Sequence, residues 1–361
     1  MKNKHLPQLD GLRGVAILIV LLGHIVVFSF GFAKFKYGAI PPIGVDLFFV
    51  LSGFLITSIL LNAKGKPDFY KNFYARRSLR IWPLYILLLV FMFGYANHHI
   101  PYTDFDENRV HWQVFALYLQ NIYYHTGAEL GVLALAVTWS LAVEEQFYLI
   151  WPVLVRKLSI RHMVYALGFI IAMAPPMRYL VESVGRDPYI NPLCRFDSMA
   201  MGGLLAIWIA IRQPSRSAVL RSAAIMICAG ALGELVGHVA HTTHFTSKSM
   251  VSLMFTGLLA CALELPILIR LLSIPPLRYT GKISYCLYLS HTVIGPTVLY
   301  FLFGAGLSRS IVRSITVLAC SYAFATASWY LFEQPILRLK RYFGETAKQA
   351  ERREAPISVA Q

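Results

Sequence analysis

A histidine and an arginine stand inside an apolar stretch near the start of the sequence. The stretch "LRGVAILIVLLGHIVVF" begins at Leu12 and contains Arg13 and His24. Their separation of eleven residues places them on nearly the same helix face, about 16 Å apart. An ionisable side chain inside a membrane span costs about 2.5–3.5 kcal/mol and therefore needs a reason. His24 lies too deep to reach water, so it is either a hydrogen-bonded core residue or a group that transfers protons.

Carboxylates and a second histidine occur in other apolar stretches. Asp46 lies in "GVDLFFVLSGF", where it is either an N-cap or a polar site residue. Glu144 and Glu145 lie in "TWSLAVEEQFYLIWP" and point about 100° apart on a helix, so one of them can face the helix bundle. His291 stands mid-span in "ISYCLYLSH". Two histidines at this depth on separate helices indicate a polar centre inside the membrane.

Arginines mark two other positions along the chain. Arg77 and Arg80 in "YARRSLRIWPLY" share one helix face. They are either a signal for membrane orientation or ligands for a phosphate group arriving from the cytoplasm. In "CRFDSMAMGG", Arg195 and Asp197 lie near the outer end of an apolar stretch, ahead of a Gly pair that permits close helix contact.

The elements that position these residues are predicted to be transmembrane helices. The 361 residues are 57% hydrophobic and 14% charged, with a mean hydropathy of +0.57. These values exclude an ordinary soluble protein and indicate an all-α, polytopic membrane protein. We predict ten spans: 12–32, 43–61, 81–96, 138–155, 163–181, 198–211, 222–240, 249–269, 283–303 and 311–333.

The charge distribution predicts the orientation of these spans. Most of the 33 Lys and Arg residues lie in the segments that share a side with the N-terminus, so we expect both termini in the cytoplasm. The net charge of +15 is explained by this bias, and we predict no binding to nucleic acid. The five cysteines have no CxxC pair, and we predict neither a disulfide framework nor a metal site.

We predict one membrane domain over 1–337 and a basic cytoplasmic tail over 338–361, which we expect to be disordered. The segment 111–137 is apolar but cannot add a single crossing without reversing every later span. Its Tyr and Trp content is typical of an interfacial or re-entrant segment at the outer face.

Taken in order, these motifs resemble the acyltransferase-3 family of bacterial inner-membrane acyltransferases. The resemblance covers about 5–337 and rests on the following stretches as they stand in this sequence. They are Arg13 with His24, "GVDLFFVLSGFLI", Arg77 and Arg80 with "RIWPLY", "WSLAVEEQFYLIWP", "RFDSMAMGG", "ISYCLYLSH" and "FEQP".

The resemblance implies an O-acyltransferase in the bacterial inner membrane. Its donor would be cytoplasmic acyl-CoA, commonly acetyl-CoA, and its acceptor a hydroxyl of a surface glycan, its precursor or a small-molecule metabolite. No permanently bound cofactor is implied, and membrane lipid surrounds the chain. Members often carry an SGNH-hydrolase-like domain, and none follows residue 333 in this sequence. We therefore expect either direct acylation or a separate periplasmic transfer partner.

With this resemblance, the residues take predicted roles. We expect His24 to be the general base, oriented by Glu144, Glu145 or Asp46. We expect the donor phosphates to be bound by the arginines of the inner edge, Arg13, Arg77 and Arg80. We assign acceptor binding to Arg195, Asp197 and His291, and His291 is the alternative base.

Two other function classes fit parts of the pattern. A proton-coupled transporter would use histidines and carboxylates in spans as a proton relay. A structural or sensor membrane protein would use them only to fix helix packing. The absence of a repeat between the halves of the chain and the arginines at one face favour the acyltransferase.

Overall fold

A computed structural model describes residues 6–30, 40–96, 99, 110–124, 133–303 and 311–343. Every regular element in these ranges is helical. The helices are α1 Pro7–Phe30, α2 Ile40–Ala63, α3 Phe69–Phe91, α4 Trp112–Ala116, α5 Gln120–Tyr123, α6 Leu133–Ala136, α7 Trp139–Lys157, α8 Ile160–Ser183, α9 Phe196–Arg212, α10 Arg216–Val239, α11 Thr243–Glu264, α12 Pro266–Leu272, α13 Pro275–Lys282, α14 Ser284–Phe303, α15 Ile311–Ser328 and α16 Gln334–Arg338.

The protein is a polytopic all-α membrane protein, as predicted. Among the described residues, eight helices are long and apolar enough to cross a membrane. They coincide with eight of the ten predicted spans. The other two predicted spans, 138–155 and 198–211, correspond to α7 and α9. Most of α9 and much of α7 are buried inside the protein, so the count of ten crossings stays a prediction.

Two predicted boundaries that bear on the site and its surroundings differ from the structure. The third span begins at Phe69 and continues through a π-helical turn, Met92–Ala96, so Arg77 and Arg80 lie inside a helix and not at its start. The predicted span 249–269 ends at Glu264, because Pro266 cannot continue the helix and instead starts α12.

The predicted interfacial segment 111–137 contains the short helices α4, α5 and α6 in its described part. The predicted tail 338–361 is ordered as far as a 3₁₀ turn, Leu339–Tyr342. Its remainder from 344 onward, like the terminal residues 1–5, lies outside the described residues.

Glycine permits the closest helix contacts. A Cβ atom on Gly202 of α9 would lie 2.0 Å from the Val50 carbonyl oxygen of α2, and one on Gly53 of α2 would lie 1.9 Å from that of Met199. Only glycine allows the two backbones to approach this closely in lipid, where packing must replace the hydrophobic effect. The contact brings the "SGF" of α2 against the "MGG" of α9. The residues that precede "SGF" in the sequence therefore lie close to those that precede "MGG".

Candidate functional site

The three arginines predicted to bind the donor line one cavity of about 170 Å³. Arg13 comes from α1, whereas Arg77 and Arg80 lie on one face of α3. Glu144 of α7 adds a carboxylate to the same wall. We call this space the arginine cavity. Its remaining lining is mostly apolar and comes from α2, α3, α7 and α14.

The cations of the arginine cavity are weakly paired. Arg77 lies 3.9 Å from a carboxylate oxygen of Glu144, and Arg13 lies 3.4 Å from Asp10 on its own helix. Arg80 makes no direct ion pair with a described residue. Half-buried guanidinium groups with donors to spare fit a phosphate-bearing ligand, because each guanidinium can offer two parallel N–H groups.

Aromatic and hydroxyl groups fix Arg77 in place. Its guanidinium carbon lies 3.9 Å above the centre of the Tyr148 ring, in a cation–π contact. The Tyr148 hydroxyl in turn is hydrogen-bonded to Ser52, which also lines the cavity. The second glutamate faces elsewhere, since Glu145 accepts a hydrogen bond of 3.2 Å from the indole of Trp82. The structure therefore assigns Glu144, and not Glu145, to the arginine cavity.

His24 and His291 lie side by side, as their common depth predicts. Their ring centroids are 4.9 Å apart. Nδ1 of His291 lies 3.0 Å from the Leu287 carbonyl and must donate to it, so its Nε2 is an acceptor. That Nε2 lies 3.3 Å from Nδ1 of His24, which is also 2.9 Å from the Val20 carbonyl. Both neighbours require a proton on Nδ1 of His24, and we therefore assign the lone pair to its Nε2.

The structure gives His24 two neighbours that the sequence analysis did not name. Nδ1 of His24 contacts the His291 ring nitrogen and the Val20 carbonyl. Glu144 lies with Arg77, Glu145 with Trp82 and Asp46 with Arg195, so orientation of His24 by one of these carboxylates stays a prediction. Sequence cannot distinguish His291 from these carboxylates as the partner, because all of them lie far from His24 along the chain.

Tyr288 stands between the histidine pair and the arginine cavity. It lines the cavity, and its ring centroid lies 6.0 Å from that of His291, one helical turn along α14. Its hydroxyl is 2.5 Å from Ser140 and donates to the Val137 carbonyl at 3.0 Å. The sequence analysis did not single out Tyr288, although "ISYCLYLSH" places it three residues before His291.

A second group of charged residues is buried apart from this cavity, and we call it the ion network. Its members are Asp46, Arg178, Arg195, Asp197 and Lys248. Arg195 donates to Asp46 and both side chains are 0% exposed. Lys248 lies 3.7 Å from the second oxygen of Asp46. Arg178 pairs with Asp197 at 2.5 Å.

Further hydrogen bonds surround the ion network. Ser249 donates to Asp197 at 2.6 Å, and Arg178 donates to the Cys194 carbonyl at 2.8 and 3.0 Å. The guanidinium carbon of Arg195 lies 5.3 Å from the centre of the Tyr189 ring, 5.4 Å from that of Phe49 and 5.8 Å from that of Trp139. Burial raises the pKa of the Cys194 thiol to about 11, so this cysteine is a poor nucleophile at neutral pH.

The expected contact of Arg195 and Asp197 with an acceptor stays a prediction. In this conformation both side chains are fully buried and bonded within the protein, so neither reaches an external molecule. His291, also assigned to the acceptor, is 1% exposed and bonded to His24. Sequence reasoning missed Arg178, and its signal was a charged residue within the predicted span 163–181.

The described residues contain no cluster of His, Cys, Asp and Glu side chains that could hold a metal ion. The cavity is therefore characterised by its arginines, one carboxylate and hydroxyl groups.

A profile described as "Acyltransferase domain", that of acyltransferase 3, matches residues 6–333. The chain belongs to the acyltransferase-3 family. The match includes both histidines, the three arginines of the cavity and every member of the ion network. The residues of the arginine cavity, the histidine pair and the ion network therefore all lie within the acyltransferase-3 domain.

This acyltransferase-3 chain is similar in sequence to two O-acetyltransferases. It is 30% identical to the peptidoglycan O-acetyltransferase OatA of Listeria monocytogenes over 374 residues, which covers 92% of this chain and 56% of that protein. It is 26% identical to the O-acetyltransferase OatA of Staphylococcus aureus (strain NCTC 8325 / PS 47), which covers 80% of this chain and 50% of that protein. The chain thus spans about half the length of these relatives. No solved structure matches it.

Proposed function

We propose that the protein transfers an acetyl group from acetyl-CoA to a hydroxyl of a surface glycan, with peptidoglycan as the first acceptor to test. The observation that carries the proposal is the convergence of Arg13, Arg77 and Arg80 on one cavity whose far wall, at Tyr288, adjoins the histidine pair. The names of both relatives favour O-acetylation, and that of the Listeria protein specifies peptidoglycan. A membrane acyltransferase needs these two features together: anchors for the donor phosphates and a base.

The donor end faces the cytoplasm of a bacterial inner membrane in this proposal. Arg77 and Arg80 follow the turn at 64–68, which belongs to the side richer in Lys and Arg. Acyl-CoA is a cytoplasmic metabolite with several phosphate charges. Weakly paired arginines at the inner end would bind those phosphates, and the acyl thioester would point toward Tyr288.

His24 acts as the general base. Its Nε2 removes the proton of the acceptor hydroxyl while the oxygen attacks the thioester carbonyl carbon. The carbon–sulfur bond then breaks, and the CoA thiolate leaves and takes up a proton. His291 fixes the tautomer that keeps the lone pair on Nε2, the task that a carboxylate performs in other base arrangements.

Tyr288 separates the cavity from the histidines in the structure. Transfer along this route requires the Tyr288 side chain to move or the acceptor hydroxyl to approach past it. Its hydroxyl and that of Ser140 bond to each other and to the Val137 carbonyl in the structure, and they would become donors to the thioester by turning away from that carbonyl. Such donors stabilise the oxyanion that forms when the acceptor attacks.

Radiolabelled acetyl-CoA tests the proposal. The purified protein in lipid nanodiscs would be incubated with acetyl-labelled CoA and solubilised peptidoglycan fragments, and alkali-labile acetate on the glycan would be counted. We expect ester formation that requires the protein and is lost in His24→Gln. If the wild-type protein binds no CoA, forms no ester with glycan and releases no acetate by hydrolysis, the proposal is wrong. Movement of intact label across a vesicle membrane without ester formation would instead indicate a transporter.

A further inference from the structure

The residues after α15 fold back onto the beginning of α3. We call Trp329–Phe343 the arm; it consists of a π-helical turn, α16 and the 3₁₀ turn. Arg76 donates to the Phe343 carbonyl at 2.9 Å and ties the end of the arm to α3. Glu333 of the "FEQP" motif is buried and shares a small packing site with Arg80. The arm is therefore attached to the helix that carries two of the cavity arginines.

This fold places Lys340 among the arginines. Lys340 is half buried, and the 3₁₀ turn that carries it packs against α3, the helix of Arg76, Arg77 and Arg80. Neither Lys340 nor Arg80 makes a direct ion pair with a described residue. Like charges gathered where water is scarce are unfavourable unless an anion joins them. The contact between the arm and α3 is thus suited to an additional phosphate.

The geometry orders the phosphates of a bound CoA. With the thioester toward Tyr288, the pyrophosphate would lie beside Arg77 and Arg80, farther toward the inner end. The 3′-phosphate of the ribose is the phosphate farthest from the thioester in CoA. It would therefore lie beyond Arg77, toward the beginning of α3, where the arm brings Lys340 close to that helix.

We propose that Lys340, held in place by the arm, binds the 3′-phosphate of the acyl-CoA donor. The inference rests on the proposed function, since it assumes that the arginine cavity takes acyl-CoA. It assigns a role in donor selection to a residue outside the motifs of the sequence analysis. The arm then serves as one wall of the donor site, and the Arg76 contact with Phe343 serves to position Lys340.

Affinity for CoA and for 3′-dephospho-CoA tests the assignment. Both would be titrated by calorimetry into protein in nanodiscs of phosphatidylcholine alone, which excludes anionic lipid headgroups. We expect the wild type to prefer CoA by roughly tenfold, the effect of one charged hydrogen bond. Lys340→Gln should abolish this preference by weakening CoA binding while dephospho-CoA binds as before. Lys340→Arg should retain most of it.

Arg341 provides a matched control in the same 3₁₀ turn. It is exposed, and its guanidinium bonds to the Tyr342 hydroxyl at 2.8 Å. Arg341→Gln should therefore keep the preference for CoA.

Three results would overturn the assignment. They are a full preference for CoA in Lys340→Gln, equal weakening of both ligands, or a Lys340 effect that appears only when anionic lipid is added. The last would make Lys340 a lipid ligand. A wild type that binds neither nucleotide would contradict the proposed function itself.

Discussion

The arginine cavity and the ion network both place charged residues inside a helix bundle, but they treat the charges in opposite ways. In the ion network, Asp46 and Arg195 are 0% exposed and Arg178 is 2% exposed, and each is held by a direct ion pair. In the cavity, Arg13 and Arg77 retain 28% and 20% exposure, with carboxylates at 3.4 and 3.9 Å. Charges that are closely paired and closed off from solvent maintain the fold, although Nε and Nη1 of Arg195 have no hydrogen-bond partner among the described residues. Charges that retain access to solvent are available to a ligand.

The difference has an energetic basis. A buried ion is stable only when its partners replace its water, so removing one partner from the ion network leaves an uncompensated charge. An arginine at the edge of a cavity still meets solvent and loses less when its neighbour is removed. We therefore expect variants of the ion network to reduce stability, and variants of the cavity and the histidine pair to reduce binding or turnover.

The largest expected effect is on turnover. His24→Gln keeps a side chain that forms hydrogen bonds but cannot take up a proton near neutral pH. Acetyl transfer should fall by about 10²–10⁴-fold, the usual contribution of a general base. Affinity for acetyl-CoA and the melting temperature should stay near the wild-type values. A variant that still acetylates at a normal rate would move the base to His291.

The second effect is on stability. Arg178→Met leaves Asp197 buried beside Ser249 without its cation and should lower the free energy of unfolding by about 3–5 kcal/mol. Unfolding in detergent, followed by tryptophan fluorescence, measures it. The double variant Arg178→Met with Asp197→Leu removes both charges and should recover much of the loss. A loss below about 1 kcal/mol in the single variant would contradict the role given to the ion network.

The third effect is on donor binding. Arg77→Lys combined with Arg80→Lys keeps both charges and the topology but removes the planar fork that binds phosphate through two N–H groups. Acetyl-CoA affinity should fall by about 10- to 100-fold, the value of one or two charged hydrogen bonds. Stability should change little, in contrast to Arg178→Met. Unchanged affinity for acetyl-CoA would indicate that Arg77 and Arg80 serve only to orient the protein in the membrane.

Sequence alone predicted the membrane architecture, because apolar helix length is a local property. It also predicted that Arg13, Arg77 and Arg80 belong to one site, and the cavity brings them together. It did not predict which cation pairs with which carboxylate. Arg195 meets Asp46 across a separation of 149 residues, and such pairings depend on how helices cross.

Two other features could not be predicted from the sequence for the same reason. The choice between Glu144 and Glu145 depends on the rotation of α7, which adjacent glutamates leave open. The last residues of the arm, 338–343, were expected to belong to a disordered tail, since their basic side chains are also typical of one. Its order comes from the contact between Arg76 and Phe343, 267 residues apart. Local pattern carries no information about a contact at that distance.

The smallest effect separates positioning from catalysis within the histidine pair. His291 accepts from Nδ1–H of His24 at 3.3 Å and, together with the Val20 carbonyl at 2.9 Å, favours the tautomer with the lone pair on Nε2. His291→Leu removes that acceptor, and a net neutral hydrogen bond is worth about 0.5–1.5 kcal/mol, so kcat should fall by about 2- to 10-fold with KM for acetyl-CoA unchanged. His291→Gln offers an amide oxygen to the same N–H and should restore most of the rate. Steady-state kinetics of the two variants, measured beside their melting temperatures, distinguish this role from a structural one. If leucine and glutamine lower kcat equally, or if either lowers it as far as His24→Gln does, His291 does not act by holding the tautomer of His24. The proton transfer then has to be assigned to both rings together.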